Sequence, residues 1–143
     1  MLDYEYEYRE YFVWIEKVAE YAKKQYHAEV DLVSEESAFI YEYRSKRIQV
    51  EGDTPPRDKL YILLHEIGHV SRLMENSSDS TYFMDRSGAS NIREKVMTLM
   101  EEVLAWQKAE EIAMVLGVPI EDAAWRRLVN ISIQKYVKWI NGE

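Results

Sequence analysis

The length, composition and charge of the chain exclude several classes of protein. It has 143 residues, of which 47% are hydrophobic and 31% charged, with 5 glycines, 3 prolines and no cysteine. This is an ordinary globular composition, and it excludes collagen-like, low-complexity and disulfide-scaffold chains. The net charge of −8 argues against binding to nucleic acid, which requires a basic face. The length predicts one domain over residues 1–143.

The chain carries no recognisable targeting segment. It opens MLDYEYEYRE, which lacks the basic start and apolar run of a secretory signal. No stretch approaches the ~18 uninterrupted apolar residues of a membrane span. The lack of cysteine is compatible with a reducing compartment. We therefore expect a cytoplasmic protein with no membrane contact.

The first half of the chain reads as a helix followed by strands. Apolar residues at helical spacing predict a helix over residues 4–26. Alternating residues then predict a short strand over 28–33 and a hairpin from residues 38–43 and 47–50. Gly52 to Pro56 end this region and start the next helix, since proline is favoured in a first turn.

The second half reads as helices. The helix after Pro56 runs to Asn76 and is followed by a loop of about 14 residues over 77–90, near the upper end for a structureless connection. A long helix over 91–116 and a last helix over 120–140 complete the chain. The predicted fold class is α+β, mostly helical, with a small three-stranded sheet between the first helix and the helix after Pro56.

Two of the three histidines lie in the sequence His65-Glu66-Ile67-Gly68-His69. Four residues along a helix turn through about 400°, so both imidazoles lie on one side and can bind one metal ion. Glu66 is rotated by about 100° from His65, which allows it to take a proton from water on the metal without binding the metal itself. A zinc ion lowers the pKa of its water to about 7. The motif therefore predicts a catalytic Zn²⁺ site with Glu66 as general base.

The residues around the motif support this interpretation. Leucines and isoleucines precede and interrupt it, so the helix is apolar on nearly all sides and is predicted to be buried. Unpaired polar groups in such a place cost several kcal/mol, and a metal would satisfy them together. Gly68 predicts a close approach of another backbone. Two core histidines that merely lie four residues apart are the alternative.

A third protein ligand is expected on the long helix that follows. It cannot be cysteine, and the positions three and six residues past His69 hold no histidine. The best candidates are the adjacent Glu101 and Glu102. Glu102 is favoured, because it shares a face with Ala105, whereas Glu101 points about 100° away, toward the side of Lys108. Two simply solvated carboxylates are the third possibility.

With HEIGH at 65–69 and EVLAW at 102–106, the chain resembles a minimal gluzincin-type zinc metallopeptidase. The match covers these two motifs and the order of the elements. This arrangement is similar to that of the compact ImmA/IrrE-type peptidases and other small zincins of phages and prophages. The resemblance implies that His65, His69 and Glu102 bind zinc and that Glu66 activates water to hydrolyse a peptide bond.

The resemblance also implies a substrate strand and a supporting residue. An extended peptide would pair with a sheet edge at Arg47 to Val50. Many gluzincins carry Asp or Asn four residues after the ligand Glu, where this chain has Trp106. Support for the metal-binding histidines must come from elsewhere, with Asp58, Asp85 and Glu101 as candidates.

No single residue is identified as the hydrogen-bond donor that would stabilise the oxyanion formed during peptide hydrolysis. Tyr82 and Arg86, in the predicted loop between the two metal helices, and His27 are the available residue types. No lysine or arginine occurs from Leu73 to Asp85, and an acidic surface would favour basic substrates.

These observations favour a zinc-dependent endopeptidase, rather than an exopeptidase, that acts on a protein or peptide. The alternative from another class is a non-catalytic interaction or inhibitor module that retains the zincin scaffold. Glu66 argues against it, because a purely structural site has no use for a base. A plain helical interaction module without metal is the third interpretation.

Overall fold

The computed structural model describes residues 2–33, 41–42, 47–51, 54–75, 89 and 91–143. Its elements, in chain order, are α1 (Leu2–Tyr26), β1 (Glu29–Val33), β2 (Tyr41–Glu42), β3 (Arg47–Glu51), α2 (Pro56–Glu75), α3 (Ile92–Leu116) and α4 (Asp122–Ile140). All four helices were predicted, and their bounds agree with the predicted ones to within two residues. Most of the predicted loop over 77–90 lies outside the described residues.

The fold is mostly helical, which corrects the predicted fold class. The extended segments span only five, two and five residues, and their backbones pair in the order β1-β3-β2. Among the described side chains of these segments, Val30 is the one that packs against the helical core. The prediction of an α+β fold class is therefore wrong, because the four helices build the core, and only the mostly helical part of the prediction is correct.

The segment expected to pair with a substrate peptide is not a free edge. β3 runs parallel to β1, with Ile48 opposite Val30, and antiparallel to β2, with Ile48 opposite Tyr41. A peptide that adds a strand needs unpaired backbone groups along an edge. The expectation of an edge at Arg47 to Val50 is therefore wrong for Arg47 and Ile48, which are paired on both sides. Gln49 and Val50 pair with β1 on one side.

Helix α2 lies at the centre of the packing, in contact with α1, α3 and α4. Its apolar side chains point in every direction and are fully buried: Leu60, Leu63, Leu64, Ile67 and Val70. This confirms the prediction of a buried helix. Any polar side chain on α2 in this stretch is consequently held in an apolar interior, where it needs a partner.

The two helices that carry the motifs touch through their backbones. A Cβ atom at Gly68 would collide with the carbonyl oxygen of Ala105 and lie 3.3 Å from the amide nitrogen of Ala109. Both alanines are fully buried. The predicted close approach is confirmed, and it brings the middle of α3 alongside the histidines of α2.

The ends of α3 follow from local sequence signals. The Asn91 side chain accepts a hydrogen bond of 2.9 Å from the backbone N–H of Glu94, which caps the first turn. Gly117, at φ 74°, ends the helix in the left-handed conformation that glycine adopts without strain. None of the described helices combines the length and apolarity of a membrane span.

Gly68→Ala is expected to lower the free energy of unfolding by about 1–3 kcal/mol, the usual cost of overpacking a core. This loss outweighs the gain of about 1 kcal/mol that alanine brings to a helix interior. Urea unfolding measures the change. The matched control is Gln134→Ala on the exposed side of α4, which should stay within about 0.5 kcal/mol of wild type. A stabilised Gly68→Ala protein would contradict the backbone contact.

Candidate metal centre

Three potential metal ligands come together between α2 and α3. His65 and His69 lie one turn apart on α2, and Glu102 reaches them from α3. The exposed fractions are 5% for His65, 9% for His69 and 5% for Glu102, so water contributes little to their solvation. The structure thus brings together the two histidines of the motif and the favoured carboxylate.

The donor atoms of this cluster converge on one point. The Nε2 atoms of the two imidazoles are 3.2 Å apart. One oxygen of Glu102, Oε1, lies 2.8 Å from Nε2 of His65, and the other, Oε2, lies 3.0 Å from Nε2 of His69. Ligands at about 2.0–2.1 Å from a tetrahedral zinc ion are separated from each other by about 3.3 Å. The donors are therefore spaced almost as three ligands of one zinc ion would be.

Hydrogen bonding alone satisfies this arrangement poorly. If both Nε2 atoms donate to Glu102, two N–H groups face each other across 3.2 Å. If either nitrogen is unprotonated, its lone pair faces a carboxylate oxygen that also has only lone pairs to offer. A cation receives lone pairs from all three side chains at once. The donor set, two imidazoles and a carboxylate, is one that catalytic zinc sites use.

Glu101 supports His69 rather than facing solvent. Its Oε1 lies 3.2 Å from Nδ1 of His69, and its Oε2 accepts a hydrogen bond of 2.9 Å from Nε of Arg72. Glu101 is only 5% exposed, so the alternative of a simply solvated carboxylate is wrong for it. Lys108, on the same side of α3, pairs with Glu75 of α2. A carboxylate on the second nitrogen of a metal-binding histidine fixes its orientation and tautomer. Glu102 thus lies within the group of potential ligands, and Glu101 contacts that group through His69.

His65 is supported by a ring instead of a carboxylate. The Trp106 indole stacks on its imidazole, with centroids 4.1 Å apart and an angle of 19° between the planes. Nδ1 of His65 is buried and has no hydrogen-bond partner among the described residues. Sequence reasoning treated Trp106 only as a departure from the gluzincin pattern. Its position, one helical turn after Glu102, was the signal that could have revealed this role.

Glu66 lies beside the ligand cluster without being held by it. Glu66 is buried, with 9% of its surface exposed. Among the described residues, its carboxylate has no hydrogen bond or ion pair, yet its charge acts on His69. A general base must be free to accept a proton from water. The position of Glu66 is compatible with that task.

Ser132 of α4 also reaches the cluster, and the sequence analysis missed it. Its hydroxyl donates a hydrogen bond to Oε1 of Glu102. A lone serine within an amphipathic helix carries no sequence signal for such a contact. The contact between Ser132 and Glu102 could therefore be identified only from the structure.

The remaining sequence candidates lie elsewhere or outside the described residues. Asp58 pairs with Arg127 at 3.2 Å and does not contact the histidines. His27 is exposed and ends α1 at φ 56°, in agreement with a capping role. Tyr82, Asp85 and Arg86 lie outside the described residues.

In the metal-free protein, the pKa of His69 is raised and the pKa of Glu102 is lowered. Burial alone would lower the pKa of His69, but hydrogen bonds to Glu101 and Glu102, with the nearby charge of Glu66, raise it to about 10. Burial alone would raise the pKa of Glu102, yet hydrogen bonds from His65 and His69 hold it well below its usual range. Protonated His69 thus supplies the positive charge that a bound metal ion would supply. A metal ion must displace it, because an imidazole binds metal in its neutral form.

No protein-family model, curated protein or solved structure matches the chain.

In metal-free protein, the stabilisation due to His69 should fade as the pH rises. A folded-state pKa of about 10 against an ordinary value of 6.5 stabilises the fold fully below pH 6.5 and no longer above about pH 10. Urea unfolding with a chelator present measures this. The difference in unfolding free energy between wild type and His69→Gln should shrink across this range. Other titrating groups are common to both proteins, and a constant difference would contradict the pKa shift.

Proposed function

We propose that the chain is a zinc-dependent metallopeptidase that cleaves a protein or peptide in the cytoplasm, as an endopeptidase. The observation that carries this proposal is the convergence of His65, His69 and Glu102. Next to His65 lies Glu66, which is buried and has no hydrogen bond or ion pair among the described residues. A structural metal site needs the ligands but not the base. The combination of both supports hydrolysis.

His65, His69 and Glu102 would hold the zinc ion. When bound, it would act as a Lewis acid toward the substrate carbonyl and lower the pKa of water to about 7. Glu66 would remove a proton from the attacking water and later deliver it to the nitrogen of the leaving amine. One side chain can perform both transfers because it is protonated by the first and deprotonated by the second.

The surrounding residues keep the ligands in place for this reaction. Arg72 donates to Glu101, and Glu101 in turn contacts Nδ1 of His69. Such a chain of contacts leaves Nε2 of His69 directed toward Glu102. Trp106 covers one face of His65 and excludes water from it. Low local polarity strengthens every electrostatic interaction within the site.

The proposed family is that of the gluzincins, with the compact ImmA/IrrE-type and phage or prophage zincins as the group that the motifs resemble. The Glu102 ligand one turn before Ala105 supports this, because the small residue allows α3 to approach α2. Trp106 and Glu101 together replace the acidic residue that many gluzincins carry four positions after the ligand.

Metal content tests the ligand assignment. Wild-type protein, purified without chelators or metal-binding tags, should contain about one zinc ion per chain by elemental mass spectrometry. His65→Ala and Glu102→Gln should both lose it. Glu101→Gln serves as the matched control, and it should retain zinc with reduced affinity. Zinc retained in Glu102→Gln would contradict the ligand assignment, and a folded wild type that takes up no added zinc would refute the metal centre.

Glu66→Gln tests the base. Because glutamine cannot accept the proton, cleavage of a quenched-fluorescent peptide library should fall by about 10²–10⁴-fold while zinc content stays at the wild-type level. The control is Glu110→Gln, an exposed carboxylate of α3. Full activity of Glu66→Gln would exclude this role. Zinc-loaded wild type without activity on the library would favour a non-catalytic module that retains the scaffold.

A further inference from the structure

Helix α4 contacts the ligand cluster through one polar side chain. The hydroxyl of Ser132 donates a hydrogen bond to Oε1 of Glu102, across the interface between α3 and α4. The same interface contains ring contacts, such as the edge-to-face pair of Trp106 and Trp125 with centroids 5.2 Å apart. Ser132 is half-buried, so its hydrogen bond is partly shielded from water. The contact is therefore a directional one between α4 and the ligand cluster.

This hydrogen bond makes the two oxygens of Glu102 unequal. Oε2 faces Nε2 of His69 alone, at 3.0 Å, whereas Oε1 faces both Nε2 of His65 and the Ser132 hydroxyl. A carboxylate oxygen has two lone-pair sites. With one of them occupied by a hydroxyl hydrogen, Oε1 is the poorer electron-pair donor to a metal. The contact consequently biases the carboxylate against binding through both oxygens equally.

We propose that Ser132 is a positioning residue that holds Glu102 as a single-oxygen metal ligand. The inference rests on the proposed zinc site and goes beyond it, since α4 is not part of either motif. A catalytic zinc ion needs three protein ligands and an open fourth position. A carboxylate that bound through both oxygens would fill that position. Ser132 would therefore preserve the place at which water and substrate enter.

The test measures metal binding rather than peptide cleavage. Ser132→Ala should weaken zinc affinity by about 10- to 100-fold in competition with a chromophoric chelator, the usual effect of losing a hydrogen bond to a ligand. With Co²⁺ in place of zinc, its visible absorption should weaken, since added carboxylate coordination raises the coordination number. Ser132→Thr, which retains the hydroxyl, should recover most of the affinity. Gln134→Ala, two residues away on the exposed side of α4, should match wild type.

The outcomes separate this inference from the proposed function. If wild type binds zinc and Ser132→Ala has the same affinity and the same Co²⁺ spectrum, the role of Ser132 is refuted and the metal site stands. If Ser132→Ala loses affinity only in proportion to a loss of metal-free stability, with an unchanged spectrum, the residue is structural and the inference is overturned. A wild type that binds no zinc overturns the inference together with the metal site.

Discussion

The backbone contact between Gly68 and Ala105 is the constraint on which the rest of the structure depends. Without a Cβ at Gly68, the carbonyl of Ala105 approaches α2 between the positions of its two histidines. Glu102 lies one turn earlier on α3, so the same contact sets the distance from its carboxylate to both imidazoles. A larger residue at either position would separate the helices. Packing between small residues thus determines the geometry of the polar centre.

The polar centre in turn limits how the core can be built. Two histidines and three carboxylates, Glu66 included, lie in a region where unpaired charges cost several kcal/mol. The cluster meets this cost with short contacts: His69 lies between Glu101 and Glu102, and Arg72 closes the far end. Removing one member leaves its partner buried and unsatisfied, which is usually costlier than the contact is worth. The cluster therefore behaves as a unit.

Local periodicity predicted much of this arrangement, and long-range packing determined the rest. The facing histidines, the inward Glu102 and the small residues follow from helical geometry, which the sequence encodes within a few turns. The contacts of Glu101, Trp106 and Ser132 depend on how α3 meets α2 and α4, which no local pattern specifies. The strand residues illustrate the same limit. Their alternating pattern correctly indicated extended backbone. How much these short segments contribute to the fold could not be predicted from them, because it depends on how the helices form the core.

Glu66 is the residue that packing explains least. A carboxylate on a buried helix, with no hydrogen bond or ion pair among the described residues, lowers stability without a compensating contact. Leu63 and Val70, one turn before and after it on α2, are fully buried, so a hydrophobic residue there would suit the fold better. Sites at which stability is sacrificed in this way are commonly functional ones. The cost of Glu66 is understandable if its free carboxylate is needed to move a proton beside a metal held by His65 and His69.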